Sequence, residues 1–166
     1  MNHHHHSFRR AKILLSFQRM AYDISNYAYV VGDAMPDIKA DATPHAVHLV
    51  QDVTQGQNRD RILRVLDSAF RQLQGLLMPF LCEEEPEKNP YTIYLRVPPS
   101  VTQAHLDLWS ILAYEYMVTA ALADWLGICA PTMAQVWADR RDANKQRLAQ
   151  SVKIHHRRAR RPLSPF

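Results

Sequence analysis

Along residues 11–17 the apolar side chains Ala11, Ile13, Leu15 and Phe17 alternate with Lys12, Ser16 and Gln18, and only Leu14 breaks the pattern. A period of two predicts a half-buried strand. The period then changes: Met20, Ile24, Tyr27 and Val31 recur at helical steps, so a short helix follows, with Gly32 placed to end it. Residues 33–58, with Pro36, Pro44 and Gly56, read as a long connection holding no more than a helical turn near Val47, Leu49 and Val50. After Asn58, Ile62, Leu66, Ala69, Leu73, Leu76 and Phe80 trace one face of an amphipathic helix of about six turns. Pro79 and the run Glu83–Glu85 with Pro86 and Pro90 close it.

Tyr91, Ile93, Leu95 and Val97 give a second alternating segment that Pro98 and Pro99 terminate, and the two strands can pair antiparallel. Ser100 or Thr102 can cap a third helix running to about Leu126, where Gly127 is placed to stop it. This helix is apolar on most faces, which predicts the central position in the core. Pro131 suits the first turn of a fourth helix over about Thr132–Val152, anchored by Met133, Val136, Trp137 and Leu148. Its polar second half predicts a helix projecting beyond the core. Pro162 and Pro165 then argue for an extended arm. The fold class expected is mainly α: a four-helix domain with a two-stranded β flap and an extended basic C-terminal arm. Residues 1–10 form a flexible His-containing N-terminus, 11–152 a single helical domain, and 153–166 the Pro-containing arm.

Charge sharpens the picture of that arm. Lys and Arg exceed Asp and Glu by 20 to 16. The excess is local, because Lys153, Arg157, Arg158, Arg160 and Arg161 fall together without an acid and the remaining chain is near neutral. With 47% apolar and 22% charged residues the chain can build a core and is not of a disordered class. Cys82 and Cys129 are too far apart for a C-x-x-C pair, so they predict free thiols in a reducing, intracellular setting. The apolar run Leu106–Ile128 is interrupted by Asp107, Glu115 and Asp124, which favours a buried core helix over a membrane span. Residues 1–10 lack the apolar stretch of a secretory signal.

Candidate chemistry is sparse. The sequence contains no G-x-S-x-G, G-x-x-x-x-G-K-[ST], H-E-x-x-H or G-x-G-x-x-G, and only 4 glycines exist to build a phosphate cradle. No catalytic residue, cofactor or metal is expected, and the protein is read as a non-enzyme. His3–His6 resemble a tag or a free terminus, His45 and His48 a surface pair, and Glu83–Glu85 a solvated loop rather than a cation site. Asp107, Glu115 and Asp124 do not share one helical face, so pairing with Arg of neighbouring helices or subunits is expected of them. Trp109, Tyr114, Tyr116 and Trp125 read as core or interface. The strongest signal is the tail: Lys153, Arg157, Arg158, Arg160 and Arg161 as charged contacts, with Leu163 and Phe166 as apolar anchors. A protein partner or nucleic-acid phosphates would each suit it.

The order of elements, the step Val97-Pro98-Pro99-Ser100 into an apolar helix carrying Tyr114 and Ala123-Asp124-Trp125-Leu126, and the ending Arg157-Arg158-Ala159-Arg160-Arg161-Pro162 resemble small structural proteins of tailed-phage prophages. These are similar to helical head–tail adaptors. The resemblance implies a ring-forming virion subunit, assembled in the bacterial host cytoplasm, whose arm over about 153–166 docks on a neighbour. Its partners would be copies of itself and adjacent portal or tail proteins, with DNA contact through the tail as a further option and no membrane. The connection 33–58 is longer than a minimal adaptor requires, which leaves a different neck or tail component open. The alternative from another class is a small nucleic-acid-binding protein using the basic tail.

Overall fold

A computed structural model describes residues 8–34, 50–53, 55–83 and 89–160, without the side chains of 158–160. Among the described residues the protein is mainly α, with four principal helices and a two-stranded antiparallel sheet. In chain order these are β1 (Arg9–Leu14), α1 (Phe17–Ala34), α2 (Gly56–Leu77), β2 (Thr92–Val97), α3 (Gln103–Cys129) and α4 (Pro131–Arg160), with a 3₁₀ turn at Met78–Phe80 after α2.

β1 pairs with β2 in the register Arg9↔Val97, Ala11↔Leu95 and Ile13↔Ile93. Alternation sends Ile13, Ile93, Leu95 and Val97 into the core. The strand begins and ends earlier than the alternation suggested, because Phe17 opens α1 and Leu15 is fixed by donating its N–H to Tyr91 O. Gly32 does not end α1, which continues to Ala34. Its role is close approach instead, since a Cβ there would lie 3.0 Å from Cγ of Gln51. α2 starts at Gly56, whose φ of 50° a side chain would resist. Thr102 is the N-cap of α3, and its backbone N–H donates to Nδ1 of His105 at 3.0 Å. Here His takes the place that Glu or Gln holds in a capping box.

α3 is apolar on nearly all sides because α1, α2, α4 and the flap surround it. By length and composition it could cross a bilayer, but most of its apolar stretch is buried inside the protein. Gly127 does not stop it; the helix runs to Cys129 and breaks at Ala130 (φ −148°, ψ 67°), after which Pro131 starts α4 directly. α4 differs most from expectation. Leu148, Val152 and His155 are buried, so its second half packs on the core rather than projecting. The stretch 153–160, expected to be extended, is helical. Polar residues dominate that half because only a narrow stripe faces α3. Arg161, Pro162, Leu163, Pro165 and Phe166 lie outside the described residues, as do His3–His6, His45, His48, Glu84 and Glu85.

Candidate functional site

Three surfaces draw on α4. The first is its C-terminal end. The Nε1–H of Trp109 donates to Oγ of Ser151 at 2.8 Å, and the His155 ring sits 4.2 Å from that of His105 and 6.0 Å from that of Trp109. Phe80 stacks on Trp109 and meets His156 edge-on. These contacts hold α4 antiparallel to α3 up to His156. Because His105 lies in the first turn of α3, the last residues of α4 pass that helix start by roughly one turn. Lys153 and Arg157 are exposed there.

The flap delivers further cations to the same end. Arg9 donates from Nη2 to Val101 O at 3.0 Å beside the start of α3. Across the ladder Arg10 stands opposite Arg96, with Lys12 two residues along and Arg96 lying over the Phe8 ring at 5.5 Å. The basic pole therefore draws on three separate stretches of the chain, β1, β2 and the end of α4. Sequence reasoning identified only the tail; the alternation of Arg10 and Lys12 with core residues of β1 was the signal for the rest.

The second surface is an open groove of about 830 Å³ between α2 and α4. Its floor is made of small residues, among them Ala120 and Ala134, and its walls carry Arg61, Arg64, Arg141 and Lys145 against Asp124 and Asp142. Arg61 grips Asp124 through two bonds, at 2.8 and 3.2 Å. Gln72 Oε1 accepts from Tyr116 Oη at 2.9 Å and from Lys145 Nζ at 3.0 Å. The neighbouring Arg141 holds the Asp142 carboxyl below its ordinary range.

The third is a cleft of about 780 Å³ between α1, α3 and α4. Tyr114 donates its hydroxyl to Oδ2 of Asp23 at 2.5 Å, with the Arg19 guanidinium 5.2 Å from the Tyr114 ring centroid. Burial first, and then the hydrogen bond to Asp23, pushes this phenol well above its ordinary value of 10.0. Tyr27 meets Trp137 edge-on at 5.1 Å, and Arg140 lies 5.0 Å from the Trp137 ring. Asn144 lines the cleft with only 8% of its surface exposed, and its amide makes no hydrogen bond to the described residues.

The acidic residues of α3 divide. Asp124 pairs with Arg61 of a neighbouring helix as expected. Among the described residues Asp107 and Glu115 pair with no Arg of a neighbouring helix; both are exposed to a neighbouring subunit, and Asp107 accepts from Gln103 of its own helix. Trp109, Tyr116 and Trp125 are buried, Trp125 donating to Val50 O at 2.9 Å, while Tyr114 is half-buried at the cleft. Cys82 and Cys129 are free thiols, and burial raises the pKa of Cys129, which disfavours the nucleophilic thiolate. Among the described residues no group of three His, Cys, Asp or Glu side chains gathers as metal ligands. Of the tail residues singled out, Lys153 and Arg157 stand on the basic pole, Arg158 and Arg160 continue its helical backbone, and Arg161, Leu163 and Phe166 lie beyond the described residues.

No protein-family model matches the chain, and neither the curated proteins nor the solved structures hold a significant match to it.

Proposed function

We propose that this protein is a non-enzymatic structural subunit of a tailed-phage virion, a head–tail connector or neck component that self-associates and docks on a portal or tail protein. The observation that supports this reading best is the basic pole. Lys153 and Arg157 are displayed on a helix locked to the core by Trp109 and His155, directly before a segment carrying Leu163 and Phe166 as apolar anchors. A rigid charged platform followed by apolar anchors suits a protein partner with an acidic rim and an apolar pocket.

The test is affinity capture of the full chain from cells carrying its source genome, split into nuclease-treated and untreated halves. Large structural proteins that persist after nuclease are the expected result, and partners that vanish with nuclease would overturn it.

One observation favours a second reading, binding of nucleic acid. Arg10 and Arg96, paired across the ladder, put cations on the outward face of the flap, and cations on a folded face are what phosphate tracking uses. Loss of salt-sensitive DNA binding on neutralising these residues would support it.

A further inference from the structure

The cleft between α1, α3 and α4 carries features that the packing of the described residues does not use. Asn144 is nine-tenths buried, yet its amide opens into the cleft without a hydrogen bond to the described residues. An amide that opens on the cleft in this way has donor and acceptor capacity ready for a chain lying there. Two turns back along α4 the Tyr27 and Trp137 rings meet edge-on, and Ile111 and Leu14 stand 56% and 48% exposed on the rim. An aromatic wall and an amide spaced along one cleft suit an extended, proline-containing segment. Such a segment has little conformational freedom to lose and presents backbone carbonyls to a side-chain donor. Glu115, exposed on the same rim, suits a cation next to that segment.

The chain itself contains a proline-bearing stretch of that composition: Arg161 followed by Pro162-Leu163-Ser164-Pro165-Phe166. Geometry decides which copy supplies it. From Arg160 back along α4 to Asn144 is about 24 Å, and to Trp137 about 35 Å, at 1.5 Å per residue. Phe166 stands six residues past Arg160 and reaches at most about 22 Å even when fully extended. The aromatic wall lies out of reach of the segment on its own helix. We infer that the cleft receives residues 162–166 of a second copy, Phe166 and Leu163 entering beside Trp137 and Ile111 and a backbone carbonyl accepting from the Asn144 amide. The contact is head-to-tail, since each copy offers an arm at one end of α4 and a cleft near the other. This inference rests on the self-associating reading above and gives that association an address.

The test uses full-length protein. One preparation carries p-benzoylphenylalanine in place of Phe166; the other carries the natural residue and heavy isotopes. The two are mixed, irradiated and mapped by mass spectrometry. Crosslinks from the light arm to heavy residues 111–119 and 137–144 are expected. In parallel, Asn144→Leu and the exposed-rim variant Ile111→Ser should each weaken self-association by at least about tenfold, the scale of losing one anchor. Phe166→Ser should do the same, and at a position that leaves the described core untouched. Oligomers that persist while crosslinks fall elsewhere, on the segment 35–49 or on the groove between α2 and α4, would overturn this address and leave self-association standing. A chain that stays monomeric at all concentrations, with no intermolecular crosslink, would overturn both.

Discussion

Replacing Ser151 with Ala tests whether the end of α4 is fixed to the core as described. The hydroxyl accepts from Nε1–H of Trp109 at 2.8 Å, and Trp109 is 0% exposed. Without that acceptor the indole N–H is left inside the protein, and an unmet buried donor costs about 1–3 kcal/mol. Ser151 itself is half-buried, so a water can enter where the hydroxyl stood. That relief places the expected loss in the lower half, about 1–2 kcal/mol, or roughly 2–8 °C in Tm for a chain of this size. Guanidinium unfolding should show a lower midpoint at unchanged slope. Trp109→Phe loses the donor and some packing, so it destabilises more. The double variant should cost less than the sum, because Ser151→Ala leaves no orphan once the indole N–H is gone. A coupling of about 1 kcal/mol is expected. Amide exchange over 152–160 should quicken in Ser151→Ala. If the single variant matches wild type and the cycle is additive within about 0.5 kcal/mol, the bond does not hold the basic pole in place.

Tyr114 and Tyr91 are held protonated in the folded state, each by burial and then by its carboxylate partner, Asp23 and Asp67. A folded pKa above the unfolded value of 10.0 gives stability that is present below pH 10 and lost as pH rises above it; Tyr114→Phe should flatten that alkaline loss in thermal melts taken from pH 8 upward. Asp124→Asn should leave the unfolding midpoint almost unchanged, since its pair with Arg61 is solvent-exposed; a clear drop in chemical denaturation would show that the pair is structural. If the pole binds duplex DNA, neutralising both Lys153 and Arg157 to Gln should reduce the slope of log K against log salt by about 2, and an unchanged slope in a fluorescence titration would place the phosphate contacts elsewhere.

The helices and the pairing of the two strands were legible because they follow from one-dimensional periodicity. Ile62 through Phe80 mark a stripe, Ile93 to Val97 an alternation, and α3 so little polar surface that it had to be central. Helix ends were less legible. Gly32 and Gly127 both look like stops, but Gly32 is required by the approach of Gln51 from another segment, and the break after α3 is made by Ala130 and Pro131. The path of 153–160 was misjudged because prolines two and five residues beyond Arg160 do not act back on a helix whose Leu148, Val152 and His155 are already paired with α3. The candidate surfaces were the least legible. Arg10 and Arg96, or Asn144 and Tyr27, become neighbours only through tertiary pairing, and no local pattern encodes that.

α4 is the element common to the basic pole, the groove and the cleft, and this has a mechanical consequence. Leu148, Val152 and the Trp109–Ser151 bond seat it on α3, whose own faces are used up in packing. Function is thereby displaced to the sides and the end of α4. Arg160, where the helix ends, and the cleft residues Asn144 and Trp137 all stand on α4, so their separation of about 24–35 Å is set by helix geometry. Under head-to-tail docking that separation fixes the translation from one copy to the next, and the angle between arm and cleft fixes the rotation. A rotation that divides the circle closes a ring, and any other gives an open filament. Lengthening α4 by one residue between Leu148 and Val152 would rotate the arm by about 100° relative to the cleft. It would also turn Val152 and His155 away from the core, whereas inserting a heptad that repeats the same apolar spacing, about two turns, changes the separation and returns the buried stripe to within about 20° of its side. Light scattering on such a variant should show an altered assembly size with preserved helical content. Unchanged assembly would mean that subunits meet through some other surface.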